Sequence, residues 1–285
     1  MHFLFRGGAW DLGAGGPRIM GVLNVTPDSF SDGGRYLEAE AAVERALQME
    51  EEGADVVDIG GESTRPGSDH VSAEEELSRV LPVIDKLAGR LKIPLSIDTS
   101  RAVVAQQAIR SGASIVNDVT AGLGEPAMLP LAASTGAGLV LMHMQGSPKT
   151  MQLNPHYGDV VAEVTEFLRA RIAAAVAAGS ETTSLVIDPG IGFGKGFADN
   201  VRLLHNLGSL LSLGRPIAVG TSRKSFIGAI TGQAVAEARI EGSIASALFA
   251  ASRGASILRV HDVAATRRAV AVWRELEIAG ETVPR

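Results

Sequence analysis

Cysteine is absent from the 285 residues of this chain. That excludes disulfides, thiolate nucleophiles and thiolate metal sites, and it suits a reducing, cytoplasmic setting. Aromatic residues are scarce, at 4%, whereas glycine is plentiful at 33 residues; the pairing suits a packed α/β protein with many tight turns. Positive charge is in deficit. Lys and Arg number 26 against 32 Asp and Glu, a net charge of -6, so neither nucleic acid nor an anionic membrane surface is an expected partner. Any anion site must be local. No run approaches the ~20 apolar residues that span a bilayer, and residues 1–16 lack the apolar stretch of a signal peptide.

What is present is a rhythm. Eight short apolar runs each stop on polar residues. Ile19–Leu23 stops at Asn24, Val56–Ile59 before Glu62, Thr64 and Arg65, Leu95–Ile97 at Asp98, and Ser114–Val116 at Asn117 and Asp118. Gly138–Met142 stops at His143, Leu185–Ile187 at Asp188, and Ile217–Val219 before Thr221, Ser222, Arg223 and Lys224. Ile257–Val260 carries Arg259 and stops at His261. Buried parallel strands read this way. Between the runs lie helical patterns: Glu38–Gly53, Ser72–Gly89, Arg101–Gly112, Pro126–Gly136, Asp159–Gly179, Asp199–Gly208, Ile240–Gly254 and Asp262–Gly280. Ser72-Ala-Glu-Glu75 is a capping-box signature. Gly53, Gly112, Gly136, Gly179 and Gly254 precede the next run, as helix-to-strand turns require.

Eight strand–helix units favour closure into a (β/α)₈ barrel over an open doubly wound sheet, because such crossovers share one hand. The expectation is one domain over 1–285 with a core of about 17–280, and a short hairpin or lid from residues 1–16 under the barrel floor. The long strand-to-helix loops (24–37, 60–71, 143–158 and 220–238) all leave one face. Loops of that length inside a compact domain usually carry function.

Gly21–Gly34 (GVLNVTPDSFSDGG) and Asp58–Gly67 (DIGGESTRPG) are similar to the two signatures of the dihydropteroate synthase family. Ile97-Asp-Thr99, Asn117-Asp118, Leu141–Met144, Asp188–Lys195, Ser222–Phe226 and Arg259–Asp262 match in order, so the resemblance covers nearly the whole chain. It implies a barrel that joins 6-hydroxymethyl-7,8-dihydropterin pyrophosphate to p-aminobenzoate in folate biosynthesis, as a homodimer using Mg²⁺. Asp98, Asn117 and Asp188 suit the flat edge of a pterin. A carboxylate accepts paired N–H groups, and an amide donates to one atom while accepting from its neighbour. Read singly, Asp98 is equally a helix N-cap and Asp188 a turn residue.

Arg259 and His261 share strand parity, and closure brings the last strand beside the first, near Asn24. These three read as an anion pocket, which the resemblance assigns to pyrophosphate, with Thr64 beside it and Asn24 as the protein ligand of Mg²⁺. Few protein ligands is the habit of Mg²⁺. By resemblance Lys224 bonds the pterin ring, and the loops bearing Phe30, Asp32, Thr64, Arg65 and Pro66, with Ser225, build the p-aminobenzoate site. Asp98, Lys224, Arg259 and His261 carry the chemistry, with Asp98 and Asp188 stabilising a cationic pterin. The run Gly190–Gly196 fits neither the dinucleotide nor the P-loop pattern; it reads as a backbone-close loop beside the pterin, with Phe193 near the second substrate. Glu62, Asp118 and His143 are expected to support these residues from behind. Arg35, Lys149 and His156 read as solvated, and Met142 and Met144 as core or pocket lining. Two other readings fit parts of the pattern: a pterin-dependent methyltransferase barrel, and a pterin-binding paralogue without turnover. Neither needs both the Ser222–Ser225 loop and the Arg259–His261 pair.

Overall fold

Period-two alternation decides this architecture. In the computed structural model, residues 1–13, 15–26, 34–63 and 71–282 are described, without the side chains of 34–37 and 280–282. Strands β1 (His2–Phe5) and β2 (Gly8–Asp11) form an antiparallel hairpin. Then come β3 (Arg18–Asn24), α1 (Gly34–Glu51), β4 (Val56–Gly60), α2 (Ala73–Leu87), β5 (Leu95–Asp98) and α3 (Ala102–Ser111). They are followed by β6 (Ile115–Asp118), α4 (Met128–Thr135), β7 (Gly138–Met142), α5 (Val160–Ala177), β8 (Leu185–Asp188) and α6 (Phe197–His205). The chain ends with β9 (Ile217–Val219), α7 (Ser225–Thr231), α8 (Ile240–Ser252), β10 (Ala255–Val260) and α9 (Val263–Thr282). Strands β3 to β10 close into a parallel barrel, with β10 pairing both β9 and β3.

Alternate strand residues face opposite ways. Ile19, Val57, Ile59, Leu139, Leu141, Ile187 and Leu258 point outward into the apolar layer beneath the helices. Met20, Val56, Ile115, Val140, Val186, Ala218 and Ile257 point inward and form one layer across the barrel. Phe3 of the hairpin plugs this layer from below, fully buried, with Phe5 and Trp10 packed around it at ring separations of 5.1–5.8 Å. The expected hairpin under the floor is therefore present, as a plug.

Helix ends follow the expected signals. The Ser72 hydroxyl accepts the Glu75 N–H at 3.1 Å, and Asp159 accepts from Val161 and Ala162 at the start of α5. All five glycines expected at helix-to-strand turns have positive φ, from 67° at Gly136 to 126° at Gly112, where a side chain would be strained. Some boundaries differ from expectation. Helix α1 starts at Gly34, four residues early. Helix α6 starts at Phe197, two residues early, and a 3₁₀ turn (Leu207–Leu213) follows it. The 220–238 loop contains α7, a short helix whose Phe226 and Ile227 are buried.

Candidate active site

Two residues beyond each member of the inward apolar layer, the same strands present the next inward layer. Val56 is followed by Asp58, Ile115 by Asn117, Val140 by Met142, Val186 by Asp188 and Ile257 by Arg259. On β5, Ser96 and Asp98 hold the equivalent places. One turn of side chains thus converts an apolar floor into a polar mouth at the C-terminal ends of the strands, where barrels of this kind assemble their sites.

Arg259 organises the mouth. Its Nε donates to Asp58 Oδ2 at 2.7 Å and its Nη2 to Asp98 Oδ2 at 2.6 Å. Asn117 Nδ2 donates to the same Asp58 oxygen at 2.9 Å. That bond sets the amide: its Oδ1 and second N–H are left for a neighbour. The other oxygens of Asp58 and Asp98 are buried with no hydrogen-bond partner among the described residues. Buried carboxylate oxygens in that condition are costly unless a donor reaches them. Burial pushes the Asp98 carboxyl up to about 7, against the pull of Arg259. Burial also raises Asp188, opposed by Lys224, and lowers the Lys224 ammonium to about 8, opposed by Asp188. Burial works to lower the Arg259 guanidinium, but Asp58 and Asp98 outweigh it and hold it above its ordinary value.

Asp188 Oδ1 accepts the Gly190 N–H at 2.7 Å, so the turn reading and the mouth position hold together. Asp98 caps no helix; Thr99 supplies the bond to the Arg101 N–H instead. Lys224 donates to the Ile191 carbonyl and stands 4.5 Å above the Phe193 ring. Phe193 is half-buried beneath that ammonium, and Ser225 opens α7 exposed. His261 shares Ser222 as partner through its N–H at 3.2 Å and its Nδ1 at 3.0 Å. Asn24 ends β3 opposite Gly60. A methyl placed on Gly60 would lie 3.8 Å from both Asn24 Oδ1 and Asp98 Oδ2. Asn24 Oδ1 is a hard oxygen donor of the kind Mg²⁺ takes, whereas Asp98 Oδ2 already accepts from Arg259. No group of three or more His, Asp or Glu arranged for a metal occurs among the described residues, so protein donors would be few.

Strand β10 lies beside β3, as closure requires, but the Arg259 guanidinium reaches past it to Asp58 on β4 and Asp98 on β5. Phe30, Asp32, Thr64, Arg65 and Pro66 lie outside the described residues. Of the residues expected to act from behind, Asp118 accepts from the Thr120 and Gly122 N–H groups at 2.8 and 2.6 Å. Glu62 bonds Arg101, and His143 bonds Lys195 at 2.9 Å. Sequence reasoning missed Asp58. The available signal was its parity with Val56, because a carboxylate inside an apolar strand run must find a buried cation.

A model of the family described as "Pterin binding enzyme" matches residues 20–261. The dihydropteroate synthase of Neisseria meningitidis serogroup B is 49% identical over 280 residues, covering 96% of this chain and 98% of that protein. That of Escherichia coli K12 is 48% identical, covering 90% of each. A solved Xanthomonas albilineans dihydropteroate synthase with 4-aminobenzoic acid superposes with a TM-score of 0.89 at 51% identity, covering 97% of this chain and 96% of that one. The chain belongs to the dihydropteroate synthase family. Membership makes it a transferase, and the methyltransferase and non-catalytic readings give way. The described parts of the signatures that carry the family resemblance, Gly21–Asn24 and Asp58–Gly61 among them, lie at the strand ends that form this polar mouth.

Proposed function

We propose that this chain condenses 6-hydroxymethyl-7,8-dihydropterin pyrophosphate with p-aminobenzoate, releasing pyrophosphate and 7,8-dihydropteroate. The observation that carries the reading is the pair of orphaned carboxylate oxygens on Asp58 and Asp98 beside the oriented Asn117 amide. They present acceptors and one donor–acceptor group, inside a narrow mouth, to a flat edge of N–H groups. Asp98, Asn117, Asp188 and Lys224 bind the pterin. Asn24, Arg259 and His261, with Thr64, take the pyrophosphate, and Arg259 sits between the two sets. Phe193, Ser225 and the residues Phe30, Asp32, Thr64, Arg65 and Pro66 serve p-aminobenzoate.

The exocyclic C–O bond breaks with its electron pair leaving on pyrophosphate. The electron-rich dihydropterin delocalises the resulting positive charge, and Asp98 and Asp188 stabilise it. The aromatic amine then forms the C–N bond and loses a proton. Mg²⁺, held through the Asn24 carbonyl, would offset charge on the leaving group. The chain works as a homodimer in the cytoplasm, a reducing compartment that suits an easily oxidised dihydropterin.

Purified protein, the dihydropterin pyrophosphate, p-aminobenzoate and Mg²⁺ make the test. Pyrophosphate release that depends on p-aminobenzoate is the expected result. Its absence, with the pterin substrate intact, overturns the reading. The Xanthomonas albilineans relative solved in complex with 7,8-dihydropteroate, 48% identical with a TM-score of 0.86, supports the product assignment.

A further inference from the structure

The run Gly190–Gly196 holds a lysine that belongs to no phosphate-binding pattern, and that lysine is 2% exposed. Burial at that level is tolerated only when the ammonium is fully partnered. Lys195 Nζ lies 2.9 Å from the Gly190 carbonyl, 3.0 Å from the Phe193 carbonyl and 2.9 Å from His143 Nδ1. An ammonium has three N–H groups, and these three acceptors use them all. Burial and then Lys224 pull Lys195 down to about 7, opposed by Asp188 and Asp199. Burial, reinforced by Lys195, holds His143 neutral, down to about 3. Neutral His143 therefore accepts from the ammonium at Nδ1 and carries its own proton on Nε2.

The loop wraps around this nitrogen. Gly190, Gly192 and Gly194 have φ of 66°, 84° and 60°. A methyl on Gly190 would run into the His143 carbonyl, and one on Gly194 into that of Gln145. The loops leaving β7 and β8 are thus in backbone contact, with His143 on one and Lys195 on the other. On the loop's outer wall, Asn200 accepts from the Gly192 N–H at 2.6 Å and donates to the Gly196 carbonyl at 2.8 Å. On its inner wall, the Gly190 N–H bonds Asp188, the Ile191 carbonyl takes Lys224, and the Phe193 ring lies under the Lys224 ammonium.

We infer that Lys195 is a positioning residue for the pterin site: by tying Gly190 and Phe193 to His143 from outside the barrel, it fixes the loop that aims Asp188 and Lys224 inward. The inference rests on the proposed function, and Lys195 itself touches no substrate. Without the ammonium, two buried carbonyls and one ring nitrogen lose their donor. A loop with three left-handed glycines has ample freedom to relax. Asp188 then loses its Gly190 contact and Lys224 its carbonyl anchor.

The test is calorimetric binding of 6-hydroxymethylpterin pyrophosphate alongside steady-state kinetics. Lys195→Met keeps the length and removes the donors. We expect its Kd for the pterin to rise about tenfold or more, the scale seen when hydrogen-bond partners that orient metal-ligating side chains are removed, with kcat/KM for the dihydropterin substrate falling in parallel. Because the chain has no cysteine, Lys195→Cys can be alkylated at that one position with 2-bromoethylamine while unfolded. Refolded beside wild type taken through the same cycle, the restored amine recovers most of the lost affinity. His143→Asn keeps an acceptor near Nζ and His143→Leu does not, so the first binds pterin more tightly than the second. A folded Lys195→Met with a lowered melting temperature but wild-type pterin Kd and kcat/KM overturns the inference, because it leaves only a structural role. Should Lys195→Met fail to fold, equal pterin Kd values for the two His143 variants overturn it equally. A wild-type enzyme that releases no pyrophosphate defeats the proposed function instead. A wild-type enzyme that turns over beside an unaffected Lys195→Met defeats this inference alone.

Discussion

Asp98 and Lys224 set opposite limbs of the expected pH dependence. Burial puts the Asp98 carboxyl at about 7 and the Lys224 ammonium at about 8. Pterin binding needs Asp98 ionised, so kcat/KM for the dihydropterin falls as pH drops through about 7. It needs Lys224 charged, so kcat/KM falls again as pH rises through about 8, and the Lys195 ammonium, lost from about 7 upward, steepens the same limb. A narrow bell in kcat/KM, which reports the free enzyme, is the expected profile. Asp98→Asn should abolish the acid limb, and a flat profile from pH 6 to 9 would defeat both assignments. Arg259 tests the coupling between carboxylates. Arg259→Met leaves Asp58, wholly buried, with Asn117 as its one remaining hydrogen-bond donor among the described residues. Removing one member of a buried ion pair costs about 3–5 kcal/mol, to be read from urea unfolding midpoints at pH 8. Asp98, Asn117, Asp188, Lys224 and Arg259 were all visible in the sequence as polar residues ending or interrupting apolar runs. Their mutual contacts were not, because a hydrogen bond across 201 positions in sequence, as between Asp58 and Arg259, exists only once the barrel closes.

At the level of elements, the hairpin β1–β2 does work that composition did not suggest. Phe3 closes the bottom of the barrel, and Gly138 at the start of β7 makes room for it: a methyl there would sit 2.5 Å from the Phe3 ring. Phe3→Ala removes a fully buried aromatic ring, at a cost of about 3–5 kcal/mol. The measurement is the denaturant midpoint, with the slope unchanged. Because the floor lies a full side-chain layer below the mouth, kcat/KM of the folded fraction should stay near wild type. A Phe3→Ala protein as stable as wild type would mean that the hairpin is no plug. The eight strands and most helix ends were legible, since capping residues and turn glycines act locally. The early start of α6 was not: Asp199, read as a starting residue, instead sits inside the helix and accepts the Gly196 N–H at 3.3 Å. Helix α7 was hidden by its length of seven residues, too short for a periodic pattern.

For the whole molecule, the outer surface carries a prediction of its own. Phe197, Ile230, Val235 and Phe249 are 52%, 62%, 61% and 39% exposed, on or near α6, α7 and α8. A contiguous apolar patch would mark an interface, so these residues are where the proposed homodimer is tested. Light scattering should return twice the 29.6 kDa chain mass at micromolar concentration, and Phe249→Glu should shift it towards the monomer. A wild-type monomer would exclude the dimer. No helix among the described residues is long and apolar enough to cross a membrane.

The sequence by itself determined the barrel, the face that carries chemistry and the residues that line it. Strand periodicity, turn glycines and capping groups act over a few residues and survive in a linear reading. Only the tertiary structure decided that Arg259 bridges Asp58 and Asp98, that Asn117 is oriented by Asp58, and that Lys195 faces away from the mouth to lock the loop behind it. Those outcomes depend on which strands close against which, and on the rule that a buried charge must find its counterpart wherever the fold brings one.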